Sequence, residues 1–87
     1  MKFSILKLTK NEVELELDEK DSTMTELIAE KLNSMKAVDV AASKIEHPIV
    51  AKPKLFVRVK KGNPLDVVKE ALDELEKEFK ELKDEVK

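Results

Sequence analysis

Residues 62–86 read GNPLDVVKEALDELEKEFKELKDEV, and the spacing of the apolar residues in this stretch decides the fold. Leu65, Val68, Leu72, Leu75, Phe79, Leu82 and Val86 recur at intervals of three and four without a break, the seam of a helix that pairs with another helix over three heptads. Asn63 followed by Pro64 is a helix start. Asn accepts from the free N–H groups of a first turn, and Pro lacks the N–H that would go unpaired there. The positions between the seam residues are acids and lysines, with Asp73 ahead of Lys77 and Glu76 ahead of Lys80 in the favourable order. The far face of this helix is therefore solvated.

Its length is as informative as its pattern. A helix over 64–86 spans roughly 35 Å, whereas a strand of five or six residues spans about 17–20 Å. Phe79, Leu82 and Val86 overhang any sheet that such strands can build, and they call for a partner surface. Left in water, each forgoes roughly 1.5–3 kcal/mol of burial.

Upstream, the period changes from helical to two. Phe3 and Ile5 alternate within Lys2 to Leu8, and in Glu12 to Asp18 Val13, Leu15 and Leu17 face away from Glu12, Glu14 and Glu16. The short polar link Thr9-Lys10-Asn11 makes these an antiparallel hairpin with one wet face, so helices cover one side of the sheet only. Thr23 with Glu26 three residues on predicts a capping box. It opens a helix whose apolar stripe is Met24, Leu27, Ile28, Leu32 and Met35. Val38 to Ile45 forms an imperfect third strand, and Leu55, Val57 and Val59 alternate cleanly in a fourth. Pro48 and Pro53 keep the segment between them, Glu46 to Pro53, out of continuous pairing. The pattern is α+β, in the order ββαββα. It predicts one domain over 1–87, a four-stranded antiparallel sheet with helices on one face, and a long C-terminal helix that protrudes.

Composition narrows the functions. With 17 basic and 19 acidic side chains the net charge is −2, which gives no overall attraction to nucleic acid or anionic lipid. No cysteine is present, so disulfides, thiol nucleophiles and cysteine-ligated zinc are excluded, and the cytoplasm is the expected compartment. The N-terminal residues alternate and resemble neither an export signal nor a membrane span. His47 is the single histidine, too few for a triad or a two-histidine metal site. One glycine, Gly62, cannot build a phosphate-cradling loop. The carboxylates fall on faces that the pattern sends to solvent, where nothing tunes them for acid–base work. The expectation is no catalytic residue, no metal and no cofactor. Lys52, Lys54, Arg58, Lys60 and Lys61 lie in an acid-free run, read as the solvated edge of a sheet, with contact to RNA as its functional alternative.

Three segments together resemble the α-like small assembly subunits of RNA polymerase, the family that includes the archaeal L subunit. Asp21-Ser22-Thr23-Met24-Thr25-Glu26-Leu27-Ile28 is similar to the motif that opens the family's first helix, and Ile45-Glu46-His47-Pro48-Ile49-Val50 to its strand-to-loop His-Pro segment. Gly62-Asn63-Pro64 opens the long charged terminal helix. Ser22, Thr25 and Glu26 depart from the His, Gly and Asn usual at those places. The resemblance implies a non-catalytic subunit of DNA-directed RNA polymerase that pairs with an α-like partner, called D in archaea. The pair is then the platform for the large catalytic subunits, and nucleic acid is met only through the whole complex. It also implies an interface of Met24, Leu27, Ile28, Leu32 and Met35 beside Leu72, Leu75, Phe79, Leu82 and Val86, with His47 and Pro48 in a loop that touches another subunit. Two other readings of the same residues stay open: a homodimeric module that pairs through this seam, and a small RNA-binding domain.

Overall fold

The computed structural model describes residues 2–18, 22–44 and 52–86. Along the chain run β1 (Phe3–Leu8), β2 (Glu12–Leu17), α1 (Thr23–Asn33), β3 (Val38–Lys44), β4 (Lys54–Val59) and α2 (Pro64–Glu85). In space the strands lie in the order β1-β2-β4-β3, with every neighbouring pair antiparallel. The last strand is thus inserted between β2 and β3, and α1 carries the chain across it. The ββαββα order and the single-sided helix layer agree with the alternation in the sequence.

The register explains why the central strands alternate so strictly. Val13 lies opposite Val57 and Leu15 opposite Leu55, and all four are buried beneath the helices. On the other face Glu12 lies opposite Arg58 and Glu16 opposite Lys54, so acid meets base across the ladder. A slip of one residue would turn both sets over, which the buried valines and leucines forbid. Ile28, Leu32, Val68 and Ala71 descend from the two helices to complete one apolar core.

Both outer strands are irregular. The pairing of β1 shifts between Ile5 and Lys7, and that of β3 between Val38 and Val40. On β3, Asn33 at the end of α1 holds the backbone: its Nδ2 donates to the Ala41 carbonyl at 2.8 Å, and its Oδ1 accepts from the Ala41 N–H at 2.9 Å. A side-chain amide here does what a neighbouring strand would do.

The two helix starts differ. Asn63 caps α2 as expected, its Oδ1 accepting from the N–H of Leu65 at 2.8 Å, with Pro64 as the first helical residue. Gly62 just before it has φ +87°, a turn conformation that a side chain would strain. The capping box expected at Thr23 does not form. Ser22 is the cap, already in helical conformation and without a side-chain cap hydrogen bond, and Thr23 is the first helical residue. Because Ser22 has turned into the helix, its carbonyl accepts from the Glu26 N–H and the helix starts one residue earlier than the motif implied.

Candidate partner interface

Helix α2 turns about 100° per residue, and its residues sort into three directions. Pro64, Val67, Val68, Ala71 and Leu75 point down and are buried. On one flank Glu74 and Glu78 face α1, where the Lys31 Nζ lies 3.4 Å from the Glu74 carboxylate and is hydrogen-bonded to Glu78. On the other flank Leu65, Leu72 and Phe79 form a row of period seven, the first two half-buried and Phe79 47% exposed. Beyond Leu75 every described residue of the helix is exposed, including Leu82 at 57% and, just past its end, Val86 at 71%. The overhang inferred from helix length is therefore present, and it includes the expected Phe79, Leu82 and Val86. Val67 and Ala71 lie outside that heptad, yet they are buried in the core beside Val68 and Leu75.

The expected interface residues separate into two groups. Ile28 and Leu32 have no exposed surface, and Leu75 only 8%. Ile28 and Leu32 belong wholly to the chain's own core, and Leu75 belongs to it too, with only a small edge lining a groove beside Leu72 and Phe79. Met24, Leu27, Met35 and Leu72 are half-buried, and with Phe79, Leu82 and Val86 they make the apolar surface that is available. An amphipathic stripe looks the same whether it lies on its own sheet or on another chain, which is why the sequence alone merged the two groups. His47 and Pro48 lie outside the described residues.

Between these elements lies a shallow groove of about 350 Å³ lined by Phe3, Met24, Leu72, Leu75, Glu76 and Phe79. Glu76 is the single charged residue in that lining. It is a place for a hydrophobic side chain of another molecule rather than for a polar metabolite.

The acid-free run of bases looks different in three dimensions. The Arg58 Nε donates to Glu12 at 2.8 Å, and the Lys52 Nζ sits 3.0 Å from Asp18. Asp18, through a direct hydrogen bond, pushes the Lys52 pKa up. Acids from neighbouring segments thus engage two of the five bases in the run, Lys52 and Arg58. Among the described residues no group of three or more potential metal ligands comes together, and no helix is long and apolar enough to cross a membrane.

Residues 12–85 match the family model described as the RNA polymerase Rpb3/Rpb11 dimerisation domain. The chain belongs to this family. Similar Rpb3/Rpb11-family chains include the DNA-directed RNA polymerase subunit Rpo11 of Thermoplasma acidophilum, 31% identical over 90% of this chain and 70% of that one. The Rpo11 subunit of Methanocaldococcus jannaschii is also 31% identical, over the whole of this chain and 97% of its own. The crystal structure of DNA-directed RNA polymerase subunit L from Thermoplasma acidophilum superposes with a TM-score of 0.85 at 28% identity, covering 97% of this chain and 83% of that one. The resemblance noticed in the three sequence segments is thus a family relationship. The Rpb3/Rpb11 match runs from the first residue of β2 to the last of α2, so it includes both helices and the exposed row on α2, while β1 precedes it.

Proposed function

We propose that this chain is a non-catalytic assembly subunit of a DNA-directed RNA polymerase, and that it pairs with a larger α-like chain of the D type. The pair then serves as the platform on which the large catalytic subunits assemble. The observation that carries this reading is the overhanging end of α2, where Phe79, Leu82 and Val86 stand in water. Burying them returns roughly 1.5–3 kcal/mol each, which favours a lasting partner over a transient one. Two of the bases, Lys52 and Arg58, are held by Asp18 and Glu12, and the exposed apolar end of α2 is the feature that calls for a partner. The polymerase's nucleotide and metal chemistry then resides in other chains, and the assembly works in the cytoplasm.

The test is co-purification. The tagged chain is isolated from its native cells under a high-salt wash, and the proteins that stay bound are identified by mass spectrometry. Recovery of a D-type chain with the large polymerase subunits is the expected result. Recovery of copies of this chain alone, or of RNA, replaces the proposal with self-pairing or RNA binding.

A further inference from the structure

Charge is not spread evenly through the fold. The two helices carry 11 acidic and 5 basic side chains, whereas the four strands carry 4 of each. The basic excess of the sheet layer therefore sits in its turns. Lys10 lies in the link between β1 and β2, and Lys60 and Lys61 in the link between β4 and α2. Two backbone hydrogen bonds bring these links to the same end of the sheet: the Val59 N–H donates to the Asn11 carbonyl and the Lys60 N–H to the Ala37 carbonyl, each at 2.8 Å. All three lysines are exposed, and among the described residues none of them has an ion-pair partner. The acids at this end are used elsewhere. Glu12 and Asp39 both turn to Arg58, at 2.8 and 3.9 Å, and Asp66 stands in the first turn of α2, where a helix N-terminus favours a carboxylate. Lys36, next to Ala37, opens instead onto a groove that it shares with Glu70 and Glu74.

Resting on the assembly role proposed above, we infer that this lysine end of the sheet, Lys10 with Lys60 and Lys61, is a docking site for a carboxylate-rich segment of one of the large polymerase chains. The turns hold the three charges on fixed backbone. Thr9 closes the first link, its Oγ1 accepting from the Glu12 N–H at 3.1 Å and its own N–H donating to the Glu12 carbonyl at 2.8 Å. Gly62, at φ +87°, and the Asn63 cap close the second. Backbone that is already ordered loses little freedom on binding. Two features select protein over nucleic acid as the occupant. The aromatic residues are Phe3, Phe56 and Phe79, and none lies in the turns at this end, so no base has a ring to stack on. The acidic helices behind the sheet repel a long polyanion, whereas a short acidic segment meets the lysines alone. Position then separates this contact from the pairing surface. The lysines lie where α2 begins and Phe79, Leu82 and Val86 lie towards its other end, and the 22 residues of that helix span about 33 Å.

The assembled complex tests this without a substitution. The tagged chain is isolated with its bound chains from native cells. Its amines are acetylated with limiting reagent and, in parallel, joined to touching carboxylates by a carbodiimide, and mass spectrometry reads both. The expected result is that Lys10, Lys60 and Lys61 acetylate at least about tenfold more slowly than Lys80 on the solvated face of α2, as groups covered in an interface do. They should also cross-link to aspartates or glutamates of one large chain. Acetylation of all three as fast as Lys80, in a preparation that contains the D-type chain, overturns the docking site and keeps the pairing. Protection that disappears after nuclease treatment makes nucleic acid the occupant and overturns the acidic segment. Cross-links to the D-type chain alone overturn the large chain as its source. A preparation without any polymerase chain removes the assembly role, and this inference with it. Charge reversal is the second measurement. With Lys10→Glu, Lys60→Glu and Lys61→Glu combined, the yield of large chains relative to the D-type chain should fall at least about threefold at low ionic strength, and the difference should shrink as salt screens the contact. An unchanged ratio at low salt overturns the docking site.

Discussion

The Arg58 guanidinium donates through Nε to the Glu12 carboxylate at 2.8 Å, joining two residues that face each other across the β2–β4 ladder. The same guanidinium lies 5.6 Å from the centre of the Phe56 ring and 3.9 Å from Asp39. Both partners of the central pair retain some exposure to water, which limits its worth to about 0.2–1 kcal/mol. Arg58→Met is expected to lower the urea midpoint only slightly, because it keeps an unbranched apolar stem and removes only a partly exposed ion pair. A loss several times larger would show that the pair is anchored by groups beyond those described.

The same pairing sets an expectation for nucleic acid. Lys52 and Arg58 are engaged by Asp18 and Glu12, and the chain as a whole is slightly acidic. Binding to RNA by the isolated chain is expected to be absent even at low ionic strength, where phosphate contacts are strongest. An electrophoretic shift at low salt that vanishes with Arg58→Glu would restore the basic strand as a binding surface.

Asn33 offers a sharper test of the fold. Its amide forms two hydrogen bonds with the Ala41 backbone, and replacing it by Leu leaves an edge N–H and C=O without those partners. The expected cost is about 1–3 kcal/mol, with faster amide hydrogen exchange at Ala41. Because an unguarded edge strand is a template for another chain, the variant should also aggregate more readily. Unchanged exchange at Ala41 would show that the amide is incidental to the edge.

Thr25 is the opposite case. It is fully buried, and its hydroxyl has no hydrogen-bond partner among the described residues. Thr25→Val keeps the branched shape and removes the unpaired oxygen, so the variant is expected to be more stable by about 1 kcal/mol. A destabilised variant would reveal a hydrogen bond to the hydroxyl from outside the described residues.

Lys31 carries the pH dependence of the helix pair. Its hydrogen bond to Glu78, and then that to Glu74, raise its pKa against the opposing effect of desolvation. A raised lysine pKa contributes stability that is fully present below the ordinary value of about 10.4 and is lost as pH rises through the higher folded value. The stability gap between the unaltered chain and Lys31→Met should therefore be constant well below the ordinary lysine value and shrink as pH rises through and above it. Denaturant titrations across that range measure it, and a gap that persists at the alkaline end would assign the effect of Lys31 to its packing stem.

The relation between sequence and structure differs from element to element. Strands β2 and β4 were legible because each is central, buried on one face and charged on the other, so Val13, Leu15, Val57 and Glu12, Glu14, Arg58 alternate without exception. The start of α2 was legible because Asn63 and Pro64 act locally. What the sequence could not show is which strand lies at the edge. Phe3 and Ile5 look like core residues by their alternation, Leu8 joins their face only through the register shift between Ile5 and Lys7, and the order β1-β2-β4-β3 leaves Ile5 and Leu8 uncovered. The interface was blurred for a related reason. Ile28 and Leu32 share a stripe with Leu27 and Met35, and the side-to-side tilt of α1 on the sheet, which decides between core and surface, is a tertiary quantity.

The division along α2 yields the decisive contrast. Leu75 is the last buried residue of the helix, and Phe79 and Leu82 are one and two turns beyond it. Leu75→Ala should cost the chain about 2–5 kcal/mol, as core truncations of leucine do, and with it part of the support for every pairing surface. Phe79→Asp together with Leu82→Asp replaces side chains that are only about half covered by this chain, so the isolated chain should lose no more than about 1 kcal/mol, well short of the cost of Leu75→Ala. In the tagged complex the same double change places two carboxylates where a partner's apolar surface must close, and an unpaired buried charge is among the costliest groups to bury. The expected outcome is a chain of ordinary stability that no longer retains its partner after a high-salt wash. If the double variant still brings down the polymerase chains in full yield, the overhang is not the pairing surface, whatever Leu75→Ala does.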